Sequence, residues 1–512
     1  FSRWGVNSLL EQGWRLSGYP LLPGVQRAGL FHGRLYLEAS ILQWEAWDAL
    51  GLPPASLNAL MGGHQPAIAV APASWRERLA RARRMLRYLA LAPGRRRRGM
   101  AAIERVNEMA RRARTEVLPE DAAGLRQVLQ RRARCSREET DLHFLQGSGG
   151  GALSMLVDML DKLFPGQGAA LAAGLLAGGE PSVTAQQGYA LLALARLAKK
   201  LGGCGPARDN PEFQQAFAAF LVAYGHRGHY ETYCRSPRLR DQPEALLAQL
   251  DTLAEVDEGA LRQRQRRAAE QAWKKIAATL PFWRRFLVRL LVKTANQECN
   301  QREAARSALI ASLDAARSAM FAAARLAVAQ GAMRHEQDAF MLLSSEAYRG
   351  LAGEIPPAGL LARVQERAAQ FAAWQAEVAP EYLLLPVAGG QPVASESFAS
   401  AAAGHDDTWC GVATGTGVGR GRVRVLRHPA EGGRLLAGEI LVAPSTDPGW
   451  TALFLKAAGL VVETGGYLSH GAIVARELAI PAVVNLPGIL SQLRDGDLVE
   501  VDGMHGTVTR LP

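Results

Sequence analysis

The feature that most constrains the fold of this chain is a change of sequence pattern close to residue 388. From about residue 25 to 386, Leu, Ala, Val and Ile recur every three or four positions with Arg, Glu and Gln between them, which predicts amphipathic helices. Beyond it, short β-branched runs alternate with Gly, Pro and Asp, which predicts strands and turns. A chain of 512 residues is also too long for one core, so we predict a multidomain protein.

We expect three parts along the chain. Residues 1–387 are predicted to form a large, mainly α-helical domain. Residues 388–407, AGGQPVASESFASAAAGHDD, are small and polar without an apolar period, which is typical of a flexible linker. Residues 408–512 are predicted to form a small α/β domain that the linker allows to move as a body.

Several individual elements can be placed from the same patterns. Helices are expected at residues 101–117, 185–201, 244–279 and 303–330, a strand in HGRLYLEAS, and loops at 147–151 and 202–206. In the α/β domain we predict strands in GRVRVLRH, GEILVAPS, AAGLVVET, PAVVNLP, DLVEVDG and GTVTRLP, with one helix at residues 472–478.

The charge balance bears on possible partners. The net charge is +11, and arginine runs occur at residues 95–98 and 131–134. A basic surface can bind nucleic acid, but these arginines lie in Ala/Leu-rich helical segments without interleaved aromatic residues. The pattern therefore favours solvated helix faces over nucleic-acid binding.

Two further features bear on location. No apolar run reaches the roughly 18 residues that a membrane helix needs, so we expect no membrane segment. The five cysteines are scattered and form no C-x-x-C pair, which indicates a cytoplasmic protein without disulfides or a zinc site.

Residues 464–481, TGGYLSHGAIVARELAIP, place one histidine between a glycine pair and an apolar helix. Ser469 is a candidate N-cap, which puts His470 in the exposed first turn, where free amides and the helix dipole stabilise an anion. A neutral imidazole at this position can attack a phosphoryl group. On the residues alone, a histidine that merely caps a turn is an equal alternative.

Residues 408–512 resemble the mobile phosphohistidine domain of the phosphoenolpyruvate-utilising enzymes, a β/β/α swivelling domain. TGGYLSHGAIVARELAIPAVV is similar to the family signature, and GTGVGRGRVRVL, GEILVAPSTDPGW, AAGLVVE and DGDLVEVDGMHGTV lie around it in the family's order. The resemblance implies that His470 is the phosphorylated residue. It also implies signature roles for Thr464, Gly465, Gly466, Ser469, Arg476 and Glu477. Without it, the last two would be only a charged helix end.

The segment GTGVGRG at residues 415–421 superficially suggests dinucleotide binding. A strand rather than a helix follows it, so the mechanism that holds a phosphate at a helix N-terminus does not apply. We predict a turn with close backbone packing instead.

The order of the parts points to one branch of the family. Pyruvate phosphate dikinase and phosphoenolpyruvate synthase place a (β/α) barrel after the mobile domain, and we expect none after Pro512. Leu468 stands where plant-type dikinases carry a threonine. FHGRLYLEAS, FLVAYGHRGHYETYCRSPRLRDQPEALL and QGAMRHEQDAFMLLSSEAYRGL instead resemble the helical domain of rifampin phosphotransferase. That resemblance implies transfer of a phosphoryl group from His470 to a hydroxyl of a small acceptor.

GHRGHYE, residues 225–231, is the segment that we expect to face this acceptor. Arg227 is a candidate clamp for a phosphoryl oxygen, and His226 or His229 is a candidate acceptor of the hydroxyl proton. The alternative is a polar helix end packed by ion pairs with Glu231. Histidine spacing alone supports a metal pair here, and without a full ligand set we predict no metal site.

The family resemblance implies Mg-ATP as phosphoryl donor, yet no ATP-grasp module is evident in this chain. Since the chain begins at Phe1 without methionine, we expect that residues preceded it. We expect Mg-ATP on a missing or partner ATP-grasp module and a small hydroxylated acceptor on the helical domain. The alternatives are a fragment related to phosphoenolpyruvate synthase or pyruvate phosphate dikinase, a non-catalytic scaffold, and a nucleic-acid binder.

Overall fold

The computed structural model describes residues 3–22, 24–63, 65–148, 150–377, 383–384, 393–394 and 407–512. Most of the predicted linker at 388–407 lies outside these residues. The described part consists of a helical region up to residue 377 and a sheet-containing C-terminal domain from residue 407, which confirms the predicted fold class. The predicted domain boundaries remain predictions.

The helical region opens with a β-hairpin among helices: α1 (Arg3–Ser17), β1 (Ala28–Phe31), β2 (Arg34–Leu37), α2 (Ala39–Leu50) and α3 (Pro54–Met61). His32 and Gly33 connect the two strands with φ values of 45° and 71°. Two consecutive positive φ values are the geometry of a type I′ turn, which suits the twist of a hairpin. The strand predicted in HGRLYLEAS is therefore confirmed, and its partner β1 was not predicted.

Long helices make up the rest of this region: α4 (Trp75–Thr115), α5 (Ala122–Glu138), α6 (Thr140–Gly147), α7 (Gly151–Leu163), α8 (Gly168–Leu176), α9 (Val183–Lys200), α10 (Cys204–Ala207), α11 (Pro211–Tyr224), α12 (Pro243–Leu253), α13 (Glu258–Thr279), α14 (Phe282–Ala329), α15 (Ser344–Leu351) and α16 (Pro357–Ala376). The segments predicted at 101–117, 185–201 and 303–330 fall in α4, α9 and α14. Within the described residues, no helix is long and apolar enough to span a bilayer.

Two local predictions were wrong because carboxylates start new helices. The helix predicted at 244–279 is interrupted, since Asp257 accepts hydrogen bonds from the amides of Gly259 and Ala260 and caps α13. The loop predicted at 202–206 becomes helical at Cys204, whose amide donates to the Asp251 carboxylate over 3.0 Å. The loop predicted at 147–151 shrinks to the short connection between α6 and α7.

A mixed sheet forms the C-terminal domain. Its strands are β5 (Thr408–Cys410), β6 (Val412–Ala413), β7 (Val418–Val425), β8 (Ile440–Ala443), β9 (Gly459–Val462), β10 (Ala482–Val484), β11 (Leu498–Asp502) and β12 (Thr507–Arg510), after a separate pair β3 (Leu383–Leu384) and β4 (Val393–Ala394). The order is β5-β12-β11-β7-β8-β9-β10-β6, and β7 to β10 run parallel. Its helices are α17 (Thr451–Phe454), α18 (His470–Leu478) and α19 (Ile489–Gln492). The six predicted strands are confirmed.

The glycines of GTGVGRG permit close packing of β7. A Cβ at Gly419 would lie 2.5 Å from the carbonyl oxygen of Ala458, and one at Gly421 would lie 2.5 Å from that of Gly438. Side chains at these positions would collide with backbone, so the prediction of close packing rather than a nucleotide loop is confirmed.

The arginine runs are not uniformly solvated, which corrects the prediction from composition. Arg98 and Arg131 are 60% and 63% exposed, as expected for a helix face. Arg132, however, is buried and donates to the carbonyl oxygens of Ala113 and Ala315, so it joins helices. Arg96 likewise forms an ion pair with Glu298 of α14.

The C-terminal domain is docked on the helical region through a shared apolar core. Leu191 of α9 and Leu250 of α12 belong to the same buried cluster as Leu453, Phe454 and Leu478 of the C-terminal domain. Burial of such side chains stabilises the docked arrangement by about 25 cal/mol for each Å² of apolar surface removed from water. Because of this contact, α18 of the C-terminal domain lies against the helical region.

Backbone contact between two glycine-containing loops adds to the docking. The amide of Tyr467 donates to the carbonyl oxygen of Ala59 over 3.0 Å. A Cβ at Gly62 would lie 2.6 Å from the amide nitrogen of Gly466, and a Cβ at Gly466 would lie 2.7 Å from the carbonyl oxygen of Leu60. We call this contact between residues 59–63 and 465–468 the glycine latch. The two loops can approach this closely only because Gly62 and Gly466 have no side chain.

Docking also buries an acidic residue of α18. Glu477 accepts a hydrogen bond from the Ser182 hydroxyl over 2.7 Å, and its carbonyl oxygen accepts one from the amide of the Gln265 side chain over 2.6 Å. Burial raises the pKa of the Glu477 carboxyl to about 8. At neutral pH the docked carboxyl is therefore mostly protonated.

Replacing Gly466→Ala is expected to open the glycine latch, because the added methyl group collides with backbone. We expect a loss of about 1–3 kcal/mol in the free energy of unfolding and a larger radius of gyration in X-ray scattering. The control is Gly433→Ala, where a Cβ meets nothing within 4 Å. Equal scattering curves for the two variants would contradict the latch.

Replacing Glu477→Gln tests the buried proton. The folded pKa lies above the unfolded value, so wild-type stability falls as pH rises toward 8. Between pH 6.5 and 8 the loss should approach about 2 kcal/mol, and Glu477→Gln should flatten this slope in urea unfolding. The control Glu354→Gln changes a carboxyl that is 56% exposed and should keep the wild-type slope. A steep slope in Glu477→Gln would place the titrating group elsewhere.

Candidate active site

The histidine loop joins a buried strand to a short helix. β9 ends at Val462 and α18 begins at His470, two residues before the predicted start of the helix. The Ser469 hydroxyl accepts a hydrogen bond from the amide of Ala472 over 3.4 Å, as expected of an N-cap. His470 therefore occupies the first helical position, where the helix dipole favours negative charge.

The signature residues around His470 hold this loop in shape. The amide of Thr464 donates to the carbonyl oxygen of Pro444 over 3.0 Å. A Cβ at Gly465 would lie 3.0 Å from the Ser469 hydroxyl oxygen, so the loop folds tightly against its own cap. Arg476 is buried and donates to the carbonyl oxygen of Tyr467 over 2.7 Å. It is thus not the solvated helix end that the residues alone left possible.

His470 is buried, which corrects the prediction of an exposed first turn. Only 5% of the residue is accessible, because the docked helical region covers the N-terminus of α18. Burial lowers the pKa of His470 to about 4. Neither ring nitrogen has a hydrogen-bond partner among the described residues. The docked imidazole is therefore neutral at physiological pH, with its lone pair uncommitted.

Charged residues of α14 face His470. After burial, Glu303 and Arg306 have the largest effects on its pKa, Glu303 raising it and Arg306 lowering it. Glu303 is 1% exposed, accepts a hydrogen bond from the Thr184 hydroxyl over 3.0 Å and lies 3.3 Å from Arg302. Burial would raise the pKa of Glu303, but the neighbouring arginines outweigh it and hold the pKa below its ordinary value. Glu303 thus stays ionised beside the histidine.

The segment GHRGHYE extends this charged group mainly through buried ion pairs. Glu231 is completely buried between Arg227 and Arg306, with O–N distances of 2.8 and 2.9 Å. Arg227 also acts on the pKa of His470. Its Nη1 and Nη2 atoms are buried and have no partner within the described chain. The segment thus contains the ion pair with Glu231 that was the alternative expectation, and Arg227 keeps two free donors. Its contact with an acceptor remains a prediction.

The two histidines of the segment point to different partners. The Nε2 atom of His226 lies 3.0 Å from the Ser307 hydroxyl, and burial together with nearby arginines holds its pKa well below the ordinary value. His229 has its Nδ1 atom 2.9 Å from Asp447 of the C-terminal domain, which also accepts a hydrogen bond from the amide of Tyr230. His229 therefore helps to hold the C-terminal domain against the helical region. In the described ranges, no cluster of three or more metal-ligating side chains occurs.

Sequence reasoning missed the residues of α14. Arg302, Glu303 and Arg306 were treated only as part of an amphipathic helix, because charged residues are common on such faces. The spacing i, i+1, i+4 gave a weak signal, since it places two arginines on either side of one carboxylate. Only the docking of the C-terminal domain brings them to His470.

Two parts of the chain match known families. Residues 435–506 match the sequence model described as the PEP-utilising enzyme mobile domain, which contains the histidine loop. Residues 143–303 match the model described as the rifampicin phosphotransferase fourth domain, which contains GHRGHYE and ends at Glu303.

Curated proteins show the same similarity over part of their length. The uncharacterized phosphotransferase YvkC of Bacillus subtilis is 32% identical over 203 residues, 39% of this chain and 24% of the relative. A rifampicin phosphotransferase of Streptomyces sviceus is 30% identical over 324 residues, 62% and 36% of the two chains. The prodigiosin synthesizing transferase PigC of Serratia marcescens is 33% identical over 306 residues, 58% and 33%.

These matches cover between 24% and 36% of the relatives' own length. The C-terminal domain of this chain is thus similar to the PEP-utilising enzyme mobile domain, and part of its helical region is similar to the fourth domain of rifampicin phosphotransferase.

Proposed function

We propose that this chain is the carrier and acceptor-binding part of a phosphotransferase that works through a phosphohistidine at His470. The observation that carries the proposal is the docked geometry: a neutral, unpartnered imidazole at a helix N-terminus faces an ionised carboxylate and two arginines. The helical region would hold a small hydroxylated acceptor, and the C-terminal domain would bring the phosphoryl group to it.

Loading requires that His470 leave the docked position. Only 5% of it is accessible there, so a donor cannot approach it. When undocked, one ring nitrogen attacks the phosphoryl group, the bond from phosphorus to the donor breaks, and a proton leaves the other nitrogen. We propose Mg-ATP as the donor, held by an ATP-binding module on the same or another polypeptide. The phosphate charge then lies at the N-terminus of α18, where the dipole stabilises it.

Transfer takes place after redocking. Glu303 accepts the proton of the acceptor hydroxyl as its oxygen attacks phosphorus, the phosphorus–nitrogen bond breaks, and the proton returns to the imidazole. Arg306 and the free Nη1 and Nη2 atoms of Arg227 stabilise the charge on the transferring oxygens. Glu231 positions both arginines through its two ion pairs.

The remaining signature residues hold the carrier loop. Ser469 caps α18, Thr464 and Gly465 fix the turn, and Arg476 ties the helix back to Tyr467. Gly466 and Glu477 act in docking, the first through the glycine latch and the second through its buried proton. We also propose a cytoplasmic location, in keeping with the free cysteines of the described chain.

The acceptor class is inferred from the relatives. Proteins similar to this chain are named rifampicin phosphotransferases, which suggests a rifamycin-like hydroxylated compound. PigC, another relative, is named a prodigiosin synthesizing transferase, which suggests that similar sequences also serve a different product. Rifampicin is therefore the first acceptor to test.

The two steps can be separated with a chemical donor. Phosphoramidate transfers its phosphoryl group to histidine with loss of ammonia, so it needs no ATP module. Exposed histidines such as His505 can also react, so the sites are located by mass spectrometry: we expect an acid-labile phosphate at His470 of the wild-type chain, and this site is missing from His470→Ala. Glu303→Gln should load normally but transfer to rifampicin roughly 10²- to 10⁴-fold more slowly, because it lacks the base.

Each result has a contrary form. Phosphate on exposed histidines of the wild type but none on His470 would contradict the carrier role. If phosphorylated Glu303→Gln transferred its phosphoryl group to rifampicin at the wild-type rate, Glu303 would not be the base. Normal loading of the wild type without any transfer to rifampicin would contradict the rifamycin-like acceptor and leave His470 as carrier.

A further inference from the structure

A second group of buried cations lies behind the GHRGHYE turn. The amide of Leu239 donates to the carbonyl oxygen of Arg227 over 2.8 Å, and that of Arg240 donates to Gly225 over 3.2 Å. A Cβ at Gly228 would lie 2.8 Å from the carbonyl oxygen of Pro237. This pairing of residues 225–228 with 237–240 fixes Arg238 and Arg240 next to His226.

Three guanidinium groups converge on one carboxylate. Asp314 of α14 lies 3.7 Å from Nε of Arg238, 3.2 Å from Nη1 of Arg240 and 3.9 Å from Nη1 of Arg317. Arg317 has a closer partner in Asp241, at 2.8 Å. Arg238 and Arg240 thus share the Asp314 carboxylate, and both N–O distances are longer than in a good charge-assisted hydrogen bond.

Most donors of these two arginines remain unused. Nη1 and Nη2 of Arg238 and Nε and Nη2 of Arg240 are buried without a hydrogen-bond partner in the described part of the chain, as is Nδ1 of His226. Arg238 is 1% exposed and His226 is 5% exposed. Unsatisfied donors and unpaired charges at such depth are costly unless an anion compensates them.

The local charges leave a positive excess. The pKa of His226 is lowered by burial and then by Arg227, Arg240, Arg114 and Arg238, so four arginines surround this ring. Arg227 shares Glu231 with Arg306. Arg238, Arg240 and Arg317 share Asp314 and Asp241, and Arg114 has no ion pair within the described residues, so these four arginines exceed the two carboxylates by two charges.

We propose that Arg238, Arg240 and His226 form a binding site for a phosphate-sized oxyanion, separate from the phosphoryl-transfer site at His470. The guanidinium forks supply several N–H donors to tetrahedral oxygens, and a dianion balances the two excess charges. Asp314 lies eight residues beyond Arg306 on α14, about 12 Å along the helix axis. The part of the site at Asp314 is therefore distinct from the position of the transferring phosphoryl group, while His226, which contacts Ser307 next to Arg306, adjoins that position.

The test uses the full chain and inorganic phosphate. At constant ionic strength, phosphate is expected to raise the melting temperature above that in chloride, and His470→Ala should keep this rise. Arg240→Gln should weaken phosphate binding about tenfold or more in calorimetric titration. Arg240 is chosen because its side chain is 26% exposed, so its replacement should permit folding, which circular dichroism checks.

A variant with the opposite effect guards against simple loss of structure. Asp314→Asn removes the carboxylate that competes for the arginines and should bind phosphate more tightly than the wild type. Phenyl phosphate distinguishes a free phosphate from the phosphoryl end of an ester: binding of both indicates an ester, and binding of phosphate alone indicates the free ion. No rise over chloride, an equal rise in Arg240→Gln, or weaker binding by Asp314→Asn would overturn the site.

Discussion

The burial of His470 at the N-terminus of α18, under the docked helical region, is the constraint on which the rest of the structure depends. It leaves an uncharged imidazole, the proposed nucleophile, within the electrostatic influence of Glu303 and Arg306. The same burial closes the imidazole to any donor from solvent. The proposed carrier role therefore requires two positions of the domain, one for loading and one for transfer.

The docked state is held by opposing contributions. The shared apolar core, the glycine latch and the contact of His229 with Asp447 favour it. The cost includes a carboxyl that must take up a proton at Glu477 and an imidazole that loses all its hydrogen bonds. Because the favourable contacts and these costs partly cancel, the docked and undocked positions of the domain stay close in free energy. A swivelling carrier, as proposed above, requires this balance.

Much of the fold could be predicted from the sequence, because its signals are local. Apolar periodicity located α4, α9 and α14, and short β-branched runs located the sheet of the C-terminal domain. Ser469 as N-cap of α18 followed from adjacent residues. The breaks at Asp257 and Asp251 were missed, because the carboxylate must be known to face a backbone amide.

The candidate site was only partly predictable, since docking assembles it. His470 was found through its loop, but its burial was not, because the residues that cover it lie far away in the sequence. Glu303 resembles any helix-surface residue in the sequence, and its effect on His470 arises only when the two domains dock. Hydrogen–deuterium exchange at the histidine C2 atoms tests the central claim most directly. Docking predicts slow exchange at His470, with a midpoint near pH 4, beside fast exchange at His505, which is 62% exposed. Exchange of His470 that follows His505 in rate and pH dependence would contradict the docked, neutral carrier.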